Sequence, residues 1–523
     1  SIIRNNTGSC RLIVVDDCSP DERIGPLIHE KLHGRIEFEY IRNEVNLGFV
    51  KSVNAGYSHC RNNFVILNTD TEVPPEWCER LMRPFAESDD IASTTPFTNS
   101  GTICSFPDFM KDNASFGNLP VEELDGYFRL IRPDAMVTIP TGVGFCMGIN
   151  KRIADEIGMF DEIYGRGYCE ENDWCQRAES RGYRNVMIPN LYVLHRHGGT
   201  FASNEKKALF ERNYTTLKGR FPHYERSVAS FVQNDPMRDV REMLKIIITA
   251  RALSSGVVMI IDHALGGGAN AYSESLAQDE SARGMAVCIV RFRPVLGVYS
   301  VEFRFRENEK YMINLTRLDE LLIISQMVTV NHVYMNEAVS YPDVPLLLSV
   351  VEDIRSRYGS RLSVLIHDFF MVCPCFTLMD AEFRYCGISD PDVCGACLKK
   401  NRYVENIYRN VDINDWRQRW GNLLSVADDI VFFSGSSKDI VRKAYPHIPE
   451  ERIRIVPHTV DYICRGEIEQ RRSGKIRIGV IGTINKHKGY DIVREMHRIV
   501  KTQYKADVEI VIIGKLSRYI RGL

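Results

Sequence analysis

Acidic side chains gather where apolar runs stop. In "RLIVVDDCSPDE" a Val/Ile-rich run ends at Asp16 and Asp17, and in "NFVILNTDTEVPP" another ends at Asn68, Asp70 and Glu72 before Pro74 and Pro75 forbid further strand. A carboxylate at a strand end can accept hydrogen bonds from a nucleobase or ribose, and two spaced carboxylates can hold a divalent cation through hard oxygen ligands. Magnesium or manganese held there would bridge a nucleotide diphosphate and neutralise charge on a departing phosphate. Further on, "EENDWCQR" puts Glu171 and Asp173 at a helix start. An ordinary acidic turn, or charges that favour a helix N-terminus, would read the same way in isolation. "DHALGGGANAYSESLAQ" sets Gly266, Gly267 and Gly268 between an apolar strand and an amphipathic helix, where backbone amides can cradle a phosphate.

The elements that carry these groups follow an α/β rhythm. "RLIVVDDCSPDE", "IEFEYIRNEVNLGFVKSVNAGYSHC" and "NFVILNTDTEVPPEWCERLMRPF" each pair a short apolar run with a helix-length amphipathic segment, which predicts a parallel sheet with crossover helices. Ligands collect at the carboxyl ends of such strands. After about residue 200, "NEKKALFERNYTTLKGRFPHYERSVASF" has helical spacing and reads as a terminal helix and linker. A fresh α/β pattern opens at "GVVMIIDHALGGG" and continues through "MAVCIVRF", "MVTVNHVYM", "LSVLIHDFF" and "DIVFFSGSS". A third begins near Ser473 with "KIRIGVIGTINKHKGYDIV" and "VEIVIIGKLS".

The chain has 523 residues, room for about two to four domains. Its 66 basic and 68 acidic residues leave a net charge of -2, so no general pull toward nucleic acid or membrane exists. No apolar run reaches the roughly 20 residues of a membrane span, and "SIIRNNTGSC" lacks the regions of a secretory signal. The 15 cysteines are scattered except for Cys373, Cys375, Cys386, Cys394 and Cys397, which suits a reducing compartment. The Cys394-x-x-Cys397 spacing is that of half a zinc site; reduced thiols in a loop are the other reading.

The succession from the acidic strand ends through "IPTGVGFCMGINKRIADEIGMFDEIYGRGYCEENDWCQRAESRGYRNVMIPNLYVLHRHGGTF" closely resembles the inverting family 2 glycosyltransferases of GT-A fold, especially rhamnosyltransferase-like members, over residues 10 to 201. The resemblance implies nucleotide binding by Asp16, Asp17 and Asn68, and metal binding by Asp70 with Glu72 as a helper. It implies His195, rather than His197, completing the metal site. Glu171 falls at the position of the general base with Asp173 as the neighbouring acid, and which of the two is the base stays open. Asn68 stands where the family keeps the first Asp of its Asp-x-Asp motif. Family members begin with a further strand and helix, and this chain opens in what looks like the end of that helix, so the first strand is expected to be missing.

The glycine loop, "LIHDFF", "RIRIVPHTVD" and "GVIGTINKHKGYDIV" together resemble family 4 glycosyltransferases of GT-B fold over roughly residues 256 to 523. That likeness implies Gly266, Gly267 and Gly268 near the donor diphosphate, His367 near the sugar, and Lys488 as the diphosphate-binding lysine. The arginine that many members place before that lysine would fall near Thr483, and Lys486 could substitute. The family's Glu-x7-Glu segment would lie beyond the last residue. His367 could equally be a core histidine satisfied by a backbone partner.

The expected architecture is therefore α/β: a GT-A domain over 1–205, a helical linker over 206–250, the N-terminal Rossmann-like subdomain of a GT-B domain over 251–470, and the start of its donor-binding subdomain over 471–523. The expected function is a tandem hexosyltransferase building bacterial surface polysaccharide of O-antigen or capsule type. Its first module would invert and depend on Mg or Mn; its second would need no catalytic metal. The implied partners are nucleotide-sugar donors and a glycan or lipid-linked glycan acceptor, not a nucleic acid polymer. The implied place is the cytoplasm or the inner face of the cytoplasmic membrane. One rival has a single catalytic module with a binding or scaffolding partner. A second, a dinucleotide-dependent oxidoreductase, is disfavoured because "GGGANAY" lacks the G-x-G-x-x-G spacing.

Overall fold

The Val- and Ile-rich runs form strands, as their fit to a pleated surface requires. The structure is a computed structural model that describes residues 1–5, 10–196, 204–252, 256–306, 309–458, 474–482, 484–504 and 507–514. It divides into two units, Ser1–Leu253 with Tyr311–Ile313, and Ser254–Lys310 with Asn314–Leu523.

In the first unit, strands Arg11–Asp16 and Glu37–Arg42 pair in parallel, joined by helix Ile24–Leu32. The third run, Phe64–Leu67, does not extend this pair. It pairs antiparallel with Cys146–Ile149 in a five-stranded mixed sheet that continues through Ile91–Phe97 and Arg184–Tyr192 to Val137–Thr138. The all-parallel expectation thus holds for the first two strands and fails at the third, because a later strand re-enters antiparallel between Phe64–Leu67 and Ile91–Phe97. Beyond the first sheet-ending turn, Thr71–Glu72 forms a two-residue antiparallel pair with Leu194–His195. Trp174, Tyr164, Met147, Ile149 and Ile66 form the core beneath, and Leu217 and Tyr224 pack into it. The segment expected as a linker is three helices, Asn204–Arg220, Tyr224–Asn234 and Arg238–Arg251, which belong to the first unit.

In the second unit, five parallel strands, Ala286–Arg293, Val257–His263, Val330–Met335, Arg361–Ile366 and Asp429–Phe432, lie side by side in that order, with Ile453–Ile455 beyond them. Strand Val298–Arg306 adds antiparallel at the other side, a mixed edge that the sequence pattern does not announce. Val257–His263 has its chain successor on one side and a later strand on the other. The strand order reverses there, which opens a crevice at the carboxyl ends. Val258, Ile260, Val287 and Ile289 are buried with Ala277 of helix Gly268–Ala282. Ile476–Ile481 and Val508–Ile513 form a separate two-stranded parallel sheet. No helix among the described residues is long and apolar enough to cross a membrane.

Candidate functional site

The short Thr71–Glu72 and Leu194–His195 ladder sets Asp70 beside His195, with Asp70 Oδ1 3.3 Å from His195 Nε2. The Arg196 amide donates to the Asp70 carbonyl at 2.7 Å, which fixes the turn. His195 is held from three sides. Asn99 brackets its backbone, accepting from the His195 amide at 2.8 Å and donating to its carbonyl at 3.0 Å. The Phe145 ring stacks on the imidazole at 5.2 Å, and Nδ1 lies 3.4 Å from the Ser100 carbonyl. A carbonyl only accepts, so Nδ1 carries a proton, and Nε2 faces the Asp70 carboxylate. An imidazole nitrogen and a carboxylate oxygen side by side form a donor pair that fits a cation, with the Ser100 carbonyl orienting the ring.

Glu72 is turned away from that pair and joins Arg196 in an ion pair. The structure therefore brings Asp70 and His195 together and leaves the expected helper Glu72 elsewhere. Among the described residues no three His, Cys, Asp or Glu side chains gather as a metal cage, so a donor's phosphates would have to complete the ligation. His197 lies outside the described residues. Asn68 closes the strand-end turn, its carbonyl accepting from the Thr71 hydroxyl at 2.7 Å and its amide donating to the Phe145 carbonyl at 2.9 Å.

Helix Glu170–Ser180 starts with three acids in its first turn, Glu170, Glu171 and Asp173, where the helix dipole favours negative charge. Their surroundings separate them. Asp173 is fully buried, bound by Arg177 at 2.8 Å, Arg220 at 3.0 Å and the Tyr164 hydroxyl at 3.0 Å. Those partners occupy its oxygens, so it braces the helix. Glu170 and Glu171 each keep a buried Oε2 that no group among the described residues satisfies. Burial first, and then the Glu171 charge, push the Glu170 carboxyl up to about 9. Burial also pushes Glu171 up. The two titrate as a pair that holds a shared proton at neutral pH. A methyl group added at Gly144 would lie 3.9 Å from Glu171 Oε1, and Phe145, the next residue, stacks on His195. One turn thus touches both the carboxyl pair and the Asp70–His195 pair.

Asp16 and Asp17 are placed together, and both are engaged within the protein. Asp16 accepts from Tyr40 at 2.5 Å, Arg42 at 2.8 Å and the Ser19 amide at 2.8 Å. Burial raises its pKa, but those hydrogen bonds and the Arg42 charge outweigh it and hold it at about 2. Asp17 gathers the Asn43 amide at 2.8 Å and the backbone N–H groups of Leu47 and Gly48 at 2.7 and 2.8 Å; burial raises its pKa, and these donors outweigh that and lower it. It shapes the loop that starts helix Phe49–Tyr57. Gly48 has φ +85°, and a Cβ there would meet Arg166 Cα at 2.7 Å, so only glycine fits.

At the carboxyl ends of the second unit's strands, Gly266 and Gly267 take φ +81° and +100°, and a Cβ at any of the three glycines would meet nothing within 4 Å. Gly267 precedes helix Gly268–Ala282 without a side-chain cap, which leaves its first amides turned to open space. His367 follows the next-but-one strand and stacks on Phe433 at 4.4 Å, with Tyr272 edge-on at 5.4 Å and His458 at 5.7 Å. Burial first, and His458 second, lower its pKa to about 4, so it is neutral. Asn336, not a backbone carbonyl, is its hydrogen-bond partner, at 2.9 Å. Buried Glu337 and half-buried Asp368 sit at the same strand ends. Burial pushes Asp368 up to about 7, and burial with the Asp368 charge raises Glu337. Sequence reasoning passed over Asp262, Asn336, Glu337 and Asp368. Yet "IIDH", "YMNE" and "LIHD" each show a polar residue ending an apolar run, the same signal that singled out Asp16 and Asp70.

Lys488 is exposed at a short turn, its amide donating to Asn485 at 3.1 Å, and nothing joins it to the glycine loop among the described residues. Lys486 pairs with Asp491 at 2.9 Å, and Thr483 lies outside the described residues. The five cysteines stay free thiols and do not form a three-ligand group among the described residues. Cys375 gives its thiol to the Met379 carbonyl at 3.2 Å, and Cys394 to the Ser389 carbonyl at 3.4 Å. These contacts fit the packed-thiol reading of the loop, and no zinc ligand set is assembled among the described residues.

Residues 1–158 match the family model of glycosyl transferase family 2. That stretch carries Asp16, Asp17, Asn68 and Asp70 and stops before Glu171 and His195. Two solved structures share similarity with the chain. The crystal structure of GalNAc-T7 with UDP, GalNAc and Mn2+ is 16% identical with TM-score 0.33, over 54% of this chain and 50% of that one. The mannosyltransferase PcManGT from Pyrobaculum calidifontis, in complex with GDP-Man and Mn2+, is 12% identical with TM-score 0.31, over 52% of this chain and 72% of that one. The chain thus spans half the length of the first. No curated protein matches. The family match covers less than a third of the chain, and what it defines is a stretch similar to glycosyl transferase family 2 at residues 1–158, in a chain that is α/β in both units.

Proposed function

We propose that the first unit transfers a sugar with inversion from a nucleotide-diphosphate donor, with Asp70 and His195 holding a divalent cation and Glu171 acting as the base. The observation that carries this is the Asp70–His195 pair, 3.3 Å apart, with the imidazole oriented by the Ser100 carbonyl. Mg or Mn suits a carboxylate and an imidazole with phosphate oxygens, and when bound it supplies Lewis-acid stabilisation of the leaving diphosphate. Both solved structures above are described with Mn2+. Glu171 would take the acceptor hydroxyl's proton as that oxygen attacks the anomeric carbon and the bond to the diphosphate breaks. Asp173, saturated by Arg177, Arg220 and Tyr164, supports this assignment of the base to its neighbour. Asp16 and Asp17 shape the nucleotide pocket wall through the loops they bind.

For the second unit the reading is a GT-B-like, metal-independent nucleotide-sugar site. The glycine loop would meet the diphosphate through backbone amides, His367 would meet the sugar, and Lys488 would approach the diphosphate. The open Gly266–Gly268 turn at the switch point supports it. We read the acceptor as a glycan or lipid-linked glycan of surface polysaccharide type, and the place as the cytoplasm or its membrane face.

The test uses the full chain with UDP-, GDP- and dTDP-sugars, with Mn2+, with Mg2+ and with EDTA. Metal-dependent release of nucleoside diphosphate is expected, and Asp70→Ala abolishes that metal dependence. Metal-dependent turnover that survives in Asp70→Ala would sink the first-unit reading.

A further inference from the structure

His367 reaches the second site through one amide. The nitrogen of Asn336 lies 3.1 Å from the Ala269 carbonyl and 2.9 Å from Asp262 Oδ1. A carbonyl only accepts, so the amide's NH2 group must face that side. Its oxygen then faces His367 Nε2 at 2.9 Å, and because that oxygen also only accepts, Nε2 must carry the proton. In the neutral ring the lone pair is left on Nδ1. Among the described residues Nδ1 has no hydrogen-bond partner.

We propose that Asn336 is a positioning residue that fixes His367 as the tautomer protonated on Nε2, so that Nδ1 accepts a hydrogen bond from a hydroxyl of the bound sugar. This rests on the reading of the second unit as a nucleotide-sugar site, and adds which atom recognises what. An acceptor nitrogen repels a phosphate oxygen and welcomes an O–H, whereas uncapped amides at a helix start do the reverse. The two halves of a nucleotide-sugar would therefore be sorted, diphosphate to the glycine turn and sugar hydroxyl to the ring.

The same network ties the two together. Asp262 accepts from Asn336 on one oxygen; on the other it accepts from Asn270 and Ser273 at 2.6 Å each and from Arg291 at 3.2 Å. Asn270 and Ser273 lie in the opening turns of helix Gly268–Ala282. Ala269, whose carbonyl orients Asn336, is in its first turn. Asn336 is 1% exposed, so water does not compete for these bonds. The ring itself is clamped by Phe433 and Tyr272.

The experiment is a two-bond 1H–15N correlation spectrum of the full chain with 15N-labelled histidine, His367 being assigned by the signal lost in His367→Gln. Wild type is expected to show a protonated Nε2 and an unprotonated Nδ1 at neutral pH. Asn336→Ala is expected to lose that single pattern to a mixture of tautomers. A wild-type proton on Nδ1, or an Asn336→Ala spectrum identical to wild type, overturns the proposal; the first of these needs no variant to fold. Titration with UDP-glucose, GDP-mannose and dTDP-rhamnose is expected to shift Nδ1 with at least one. The stated tautomer with no shift from any donor counts against the sugar-site reading, while the wrong tautomer counts against Asn336.

Discussion

The two sites distribute charge in opposite ways. In the first, the Asp70 side chain is 43% exposed beside a histidine that is 10% exposed, so a hard anion faces outward next to an oriented nitrogen. In the second, the titratable groups, His367, Glu337 and Asp368, are withdrawn, and what faces open space is the backbone of three glycines. A negative outward face can meet a diphosphate only through a cation. A face of uncapped amides can meet it directly. The contrast is what the proposed metal-dependent reading of the first unit and the proposed metal-free reading of the second rest on.

The largest expected effect separates chemistry from binding in the first unit. Glu171→Gln should lower kcat by about 10²–10⁴, the range for a lost general base, with the donor KM little changed. An unchanged kcat would move the base elsewhere and erase the contrast between Glu171 and Asp173. Asp173→Ala should instead lower stability by about 2–3 kcal/mol, read from the urea midpoint. That is below the ~3–5 kcal/mol of a wholly buried broken pair, because Arg220 keeps 35% exposure. Asp70→Ala should abolish the Mn2+ dependence of turnover, with a loss of about 10²-fold or more, exceeding what loss of a supporting group typically does. The activity of the second unit should not respond to it. Gly267→Ala meets no atom but must hold φ +100°, so a loss of about 1 kcal/mol in thermal or urea stability is expected, together with weaker donor binding in the second unit alone.

The carboxyl pair adds a pH signature. The folded-state pKa of Glu170, about 9, stands above its ordinary 4.5, so the folded state binds the extra proton. The stability linked to that proton is fully present below the ordinary value and is lost as pH rises toward about 9. Transfer should rise over the same window as the pair ionises to supply a base. Urea midpoints measured at about pH 6 and about pH 9 should differ in wild type and converge in Glu170→Gln.

Much of the first site was legible because its signal is local. An apolar run that stops at Asn68-Thr69-Asp70 before two prolines marks a strand end, and strand ends are where ligands gather. That Asp70 would meet His195, 125 residues on, came through the family resemblance, and the structure realises it through a ladder of only two residues per strand. Glu72 misled because in the two-residue ladder it stands opposite Leu194 while Thr71 stands opposite His195, and Arg196 takes its carboxylate. The engagement of Asp16 and Asp17 was hidden because Tyr40, Arg42 and the Leu47 amide come from another strand and loop, and partner identity is tertiary information. In the second unit the strand-end rule was available and applied only to the glycines and His367. Asn336, Glu337 and Asp368 meet it equally well, but nothing in their spacing says that one amide would connect Asp262 to His367. The mixed sheet of the first unit was missed for a related reason: strand direction depends on where the chain returns, and "CMGI" carries no mark of its orientation.

Gly48 joins two parts of the first site by lacking a side chain. Its backbone lies against Arg166, whose carbonyl accepts from the Phe49 amide at 3.1 Å, four residues before the carboxyl pair begins. The loop organised by Asp17 and the approach to Glu170 and Glu171 are therefore in direct backbone contact. On the proposed reading, a side chain at residue 48 would part the nucleotide side from the base, so the spacing between them hangs on a single missing methyl group.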